Sequence, residues 1–236
     1  MSPVGVGLIG AGTISDTYLT NLTAFPDVSV RMIADLDLDR AATQAALHGV
    51  PRSGTVAELL ADPGIEIVVN LTVPAVHVEV GLAALDAGKH VWAEKPLALD
   101  RVGGRKLLDR ARQTGLRVAS APDTVLGAGL QSVRRAIDAG MIGSPQTALA
   151  LFQSPGPESW HPAPEFLFRA GAGPLFDMGP YYLTTLVHLL GPIARVTASG
   201  RRARETRVIG SGPRAGTSFP VTVPTTVAAP VCGSIR

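Results

Sequence analysis

The stretch GLIGAGTIS, Gly7 to Ser15, decides how the chain reads. It closes a short apolar run, Val4 to Ile9, and opens a segment from about Ile14 to Leu22 with helical patterning. Gly10 permits the tight turn from strand to helix. Gly12 lets backbone approach a pyrophosphate, and the small Ser15 in the last place lets the helix pack on the strand. The helix start at Thr13 and Ile14 then offers amide N–H groups and a positive dipole end to phosphates. Alone, a glycine turn is a weak signal. Its weight comes from Val28 to Ala34, which reads as a second strand ending at Asp35. That is the separation expected of an acid that binds adenosine ribose hydroxyls. A carboxylate there repels a 2′-phosphate, and the next residue is Leu36 rather than arginine, so the predicted cofactor is NAD rather than NADP.

Outward from this turn, strand and helix patterns alternate. Leu38 to His48 reads as a helix with Asp37 as N-cap and Gly49 as stop. Thr55 to Glu58 has capping-box spacing. Ile65 to Leu71, His90 to Ala93 and Leu116 to Ala119 read as strands, separated by helices at Val76 to Ala87 and Asp100 to Thr114. Alternation of this kind predicts parallel βαβ units and an α/β, doubly wound sheet. From Pro122 the character changes. A helix near Leu126 to Ala139, a strand at Thr147 to Phe152, a proline-rich loop at 153–166, a glycine-rich turn feeding a helix that ends at Gly191, and a strand at Ile193 to Ser199 predict a second, α+β domain. The expected division is residues 1–122 for dinucleotide binding and 123–236 for substrate and oligomerisation.

Composition narrows the function classes. The chain has 236 residues, 46% of them hydrophobic and 17% charged, with a formal net charge of +2. The arginines at 201, 202, 204 and 207 are too few and too isolated to argue for nucleic acid. No apolar run approaches the roughly 20 residues that span a bilayer, and the N-terminus lacks the basic and cleavage features of a signal peptide. The single cysteine, Cys232, fits a reducing compartment. A soluble cytoplasmic protein with no membrane or nucleic-acid partner is the expectation, and no metal-ligand set is read.

Ligands of open α/β sheets sit beyond the carboxyl ends of the strands. Those ends supply Asn70, Thr72 and Pro74, then Glu94 and Lys95, then Asp123 and Thr124. Lys95 is one of three lysines in the chain and stands where a strand leaves the core, with Pro96 fixing the backbone after it. Two readings stand for His77, a cofactor neighbour or a histidine that merely begins a helix, and for Asp123, a site residue or a turn residue after Pro122.

The glycine turn, NLTVPAVH (70–77), EKPLALD (94–100) and DMGPYY (177–182) together resemble the Gfo/Idh/MocA family, named for glucose–fructose oxidoreductase and inositol dehydrogenase. The resemblance runs from residue 4 to about residue 200. It implies an N-terminal Rossmann domain, a C-terminal domain built on a large open sheet that often forms a dimer interface, and NAD(P)-dependent oxidation of sugars, cyclitols and related polyols. It implies a catalytic or substrate-orienting role beside the nicotinamide for Lys95, with Glu94 on the cofactor side. The family also places an aspartate and, four residues on, a histidine at a helix start in the second domain. Here Asp177 matches, but the histidine is replaced by Tyr181, and Thr184 stands where another acid is frequent.

A tyrosine, with an ordinary pKa of about 10, needs help to take the alcohol proton that a histidine near 6.5 takes readily. A nearby ammonium favours phenolate, so a Lys95–Tyr181 pair is the expectation, with Asp177 orienting one of them or a substrate hydroxyl. Asp177 also reads as a helix N-cap, and Tyr181 as half-buried core. Trp160 and His161, in the proline-braced loop, suit sugar recognition through an aromatic face and an imidazole. Family members run well beyond 300 residues, so a shortened second domain with an open sheet edge is expected. The alternative class is a non-catalytic nucleotide-binding protein or an inactive fragment of such an enzyme.

Overall fold

The structure, a computed structural model, describes residues 2–233. It divides at the Ala121–Pro122 junction into two compact units. In the first, β1 (Val4–Ile9), β2 (Val28–Ala34), β3 (Ser53–Gly54), β4 (Ile67–Asn70), β5 (His90–Ala93) and β6 (Val118–Ser120) form one sheet. All its pairings are parallel, in the order β3-β2-β1-β4-β5-β6. The connecting helices are α1 (Thr13–Leu22), α2 (Leu38–Leu47), α3 (Val56–Ala61), α4 (His77–Asp86) and α5 (Arg101–Thr114).

Alternation along the strands builds a core on each face of this sheet. Val6 and Leu8 pack with Leu19 of α1 and with Ala41 and Ala45 of α2. Ile9, Val68 and Val91 pack with Leu59, Ala84, Leu85 and Leu107 from α3, α4 and α5. Burial on both faces is why the strands are almost wholly apolar. Local signals end the helices where they were read. The Asp37 carboxylate accepts the Arg40 amide, Thr55 and Glu58 close a capping box, and Gly49, Gly88 and Gly115 adopt positive φ at helix ends. Lys89 is buried at the amino edge, where its ammonium donates to the carbonyls of Asp62 (2.7 Å) and Ile65 (2.8 Å).

The second unit contains α6 (Ala128–Asp138), the single turn α7 (Pro174–Asp177) and α8 (Gly179–Leu190). It also contains β7 (Ile193–Val196), β8 (Ser199–Arg201), β9 (Thr206–Val208), β10 (Ser218–Pro220), β11 (Thr226–Ala228) and β12 (Val231–Gly233). These strands pair antiparallel as β7 with β12, β8 with β11, and β9 with β10. The expected open sheet is therefore three separate two-stranded sheets among the described residues. The buried cluster of this unit is small: Phe168, Ile209, Phe219 and Val221, beside β9 and β10. The strand expected at Thr147 to Phe152 does not form. That segment has no regular secondary structure and is exposed, with Leu149 84% and Leu151 68% accessible. A strand needs a ladder partner, and β-propensity alone does not supply one.

Candidate active site

The strand order places β1 between β2 and β4, with the following helices on opposite faces. A crevice opens beyond the carboxyl ends at such a switch point. Gly10 makes the turn there with φ +104, and its amide donates to the Ala34 carbonyl (2.8 Å). A Cβ on Gly10 would lie 2.7 Å from the Leu71 carbonyl oxygen. Gly12 differs: it caps α1 with no side-chain acceptor, and a Cβ there would meet nothing within 4 Å. The open space lies before the first-turn amides of a helix, at Thr13 and Ile14, which are exposed. Ser15 is fully buried, and its hydroxyl donates to the Gly12 carbonyl (2.6 Å), which draws helix and turn together.

Asp35, at the end of β2, is 8% exposed. Its Oδ2 accepts the Ala11 amide (2.6 Å) and its Oδ1 the Asp37 amide (2.9 Å). Arg40, reaching back from α2, donates through Nη2 to Oδ1 (2.6 Å) and through Nε to Oδ2 (3.3 Å). Burial by itself pushes the carboxyl up. The Arg40 guanidinium and the amides of Asp37 and Ala11 outweigh it and hold Asp35 below its ordinary range. The sequence reading weighed only the neighbouring Leu36; the arginine arrives from one helical turn further on.

The ends of β4 and β5 are tied together. Asn70 Oδ1 accepts both the Thr72 hydroxyl (2.6 Å) and its amide (3.2 Å), and Pro74 opens a single 3-10 turn over Pro74–Val76. Glu94 accepts the Tyr18 hydroxyl on Oε1 (2.8 Å) and the Lys95 amide on Oε2 (3.0 Å). Trp92 Nε1 donates to the same Tyr18 oxygen (3.4 Å). Lys95 is half-buried on this rim. His77 does not take the cofactor-binding place that its position had offered. It is 1% exposed, and its Nδ1 and Nε2 lie 2.7 Å from the Pro96 carbonyl and 2.9 Å from the Thr72 carbonyl. Both nitrogens are committed to backbone, so the ring joins two loops.

In the second unit, Asp123 is exposed and begins a 3-10 turn over Asp123–Leu126. Trp160 is 67% exposed and stacks edge-on against His161 (centroids 5.6 Å), whose Nδ1 accepts the Ala163 amide (3.0 Å). Asp177 ends α7, and the residue that caps α8 is Met178, with no side-chain capping bond. Tyr181 lies half-buried in the first turn of α8, and its carbonyl accepts the Thr185 hydroxyl (2.8 Å). His188, further along α8, lies 3.5 Å from Gln131 Nε2, and its carbonyl accepts Arg134 Nη1 (3.0 Å).

The model of an oxidoreductase family with an NAD-binding Rossmann fold, Gfo/Idh/MocA, matches residues 4–121, and that of the Gfo/Idh/MocA C-terminal domain matches residues 130–230. The chain belongs to the Gfo/Idh/MocA family. Among its relatives is a 1,5-anhydro-D-fructose reductase of Ensifer adhaerens, 32% identical over 78% of this chain and 56% of that protein. Another is an inositol 2-dehydrogenase of Saccharopolyspora erythraea, 30% identical over 68% of this chain and 48% of that one. A crystal structure of an NAD-binding oxidoreductase from Klebsiella pneumoniae superposes with a TM-score of 0.81 at 25% identity, over 98% of this chain and 63% of that one. The chain thus spans about half the length of these two curated relatives.

Against that family, the first unit is an NAD-binding domain whose residues fit the dinucleotide. The room at Gly12 suits a pyrophosphate, and Asp35 ends β2, the position expected of a ribose-binding acid in such a fold. Tyr18 and Arg40, which contact Glu94 and Asp35, were not singled out from sequence. The signal for Arg40 was available: position five after the acid falls in the first turn of a helix that starts at the strand end. Tyr18 had none, because its partner Glu94 is 76 residues away.

Proposed function

We propose that this chain is, or is part of, an NAD-dependent dehydrogenase that oxidises a sugar, cyclitol or related polyol. The observation that carries it is the grouping on one sheet edge of a dinucleotide turn (Gly10, Gly12), a ribose-binding acid (Asp35) and a lysine on the neighbouring rim (Lys95). The names of the reductase and inositol dehydrogenase relatives support the polyol class.

When bound, NAD accepts the hydride from the carbinol carbon; the protein must take the hydroxyl proton. In this reading Lys95 orients the substrate hydroxyl and favours the charged form of its proton acceptor, which is Tyr181 in the position where the family carries histidine. Asp177 orients a substrate hydroxyl or the tyrosine. Glu94, fixed by Tyr18 and by the Lys95 amide, holds the rim on the nicotinamide side. Asp123, Trp160 and His161 contribute to the substrate pocket, with the exposed indole covering C–H surface. The replacement of the family histidine by Tyr181 also favours a second reading, a nucleotide-binding protein without turnover. We place the chain in the cytoplasm, consistent with its single cysteine. Pairing of second units between copies is the oligomer we expect.

The test incubates the purified chain with NAD and a panel of cyclitols and aldoses and follows the absorbance of reduced nicotinamide. Turnover with one substrate, lost in Lys95→Ala and reduced at least about 10²-fold in Tyr181→Phe, is the expected result. Full turnover in Tyr181→Phe removes the tyrosine from the mechanism. NAD binding without turnover favours the second reading.

A further inference from the structure

Two loops rim the cofactor crevice of the first unit. One follows β4 through Thr72 and Pro74; the other follows β5 through Glu94, Lys95 and Pro96. His77 bridges them. Its Nδ1 lies 2.7 Å from the Pro96 carbonyl oxygen and its Nε2 2.9 Å from the Thr72 carbonyl oxygen. The ring itself is 1% exposed, and both contacts are part-buried. The bridge is anchored to the sheet, because Asn70 Nδ2 donates to the His77 carbonyl (3.1 Å) while Asn70 Oδ1 holds Thr72. An unbroken hydrogen-bond path therefore runs from the end of β4 to the residue after Lys95.

Both partners are carbonyl oxygens, which only accept, so an N–H on either ring nitrogen faces an acceptor on one of the two loops.

We propose that His77 is a positioning residue for Lys95: its ring, set between the Pro96 and Thr72 carbonyls, ties the Lys95–Pro96 turn to the Thr72 loop, so that the two rims move as one body. Its effect on turnover rests on the role given to Lys95 above; the clamp itself does not. A displacement of about 1 Å at a reacting group lowers a rate by on the order of 10²-fold. Binding of NAD, carried mainly by the Gly12 turn and Asp35, should change far less.

Two measurements on the full chain test this. Hydrogen exchange in His77→Phe should show residues 70–76 and 94–99 losing protection together, by about tenfold or more, while β1 and β2 keep theirs. Loss in one segment only, or throughout the unit, overturns the coupling. His77→Gln retains amide donors able to reach one carbonyl and should fall between wild type and His77→Phe; it also serves if the phenylalanine variant fails to fold. Where turnover is measurable, kcat should fall on the order of 10²-fold in His77→Phe with the NAD Kd changed less than about threefold; equal losses in both overturn the positioning role. A wild type that neither binds NAD nor turns over any polyol defeats the functional reading instead, and hydrogen exchange still decides the clamp.

Discussion

Asp35 is asked to do two things at once. Its carboxylate takes two amides and the Arg40 guanidinium, and in the proposed function it also holds the ribose. Because the folded state holds its pKa below the ordinary value of 3.8, the unfolded chain binds more protons near that pH. The stabilisation is therefore fully present above pH of about 4 and is lost as pH falls through the depressed folded value. Asp35→Asn should lose that acid limb: thermal melts from pH 5 downward should fall less steeply than in wild type. Parallel pH dependence in the two proteins would show that the ion pair contributes nothing to folding. Lys89 and Lys95 illustrate how little residue type says at this scale. One is buried at the amino edge, where desolvation lowers its pKa against the pull of Asp62, and serves the carbonyls of two turns. The other sits half-buried at the carboxyl edge among cofactor-side residues.

At the scale of elements, the turn between β1 and α1 contains two glycines with separate reasons for being glycine. Gly10 is required by the fold: its φ of +104 suits no side chain well, and a Cβ would collide with the Leu71 carbonyl. Gly10→Ala should cost about 1–3 kcal/mol in backbone strain, with the collision adding to it. Gly12 has an ordinary φ of −74 and free space around it, so the fold tolerates a methyl there. Gly12→Ala should melt within a few degrees of wild type yet bind NAD at least about tenfold more weakly, a loss of about 1.4 kcal/mol. A calorimetric melt and an NAD titration on each variant separate the two; unchanged NAD affinity in Gly12→Ala would remove the pyrophosphate from that space. Elements with local signals were legible in advance. The Thr55–Glu58 box, the Asp37 cap and the glycine stops each act within a few residues, and each is where the sequence placed it. The segment 147–152 was misread as strand because its side chains favour extension, whereas a strand exists only by pairing.

Over the whole molecule, burial is uneven. The first unit packs both faces of a six-stranded sheet, and the second gathers two phenylalanines, an isoleucine and a valine beside β9 and β10. Two-stranded pairs are marginal by themselves. Amides of β7 to β12 should therefore exchange at least about tenfold faster than those of β1 and β4; equal protection would mean that the second unit is held by more than its own core. No helix among the described residues is long and apolar enough to cross a membrane. By itself the sequence determined the Rossmann architecture, the family and the places of Gly10, Gly12, Asp35, Glu94 and Lys95, because strand alternation, helix caps and a glycine turn are short-range codes. Only the tertiary structure decided that Arg40 closes on Asp35, that Tyr18 holds Glu94 and that His77 clamps two loops. Those contacts join residues from different elements, and which side chains meet across a sheet edge depends on strand order and helix placement that no local pattern encodes.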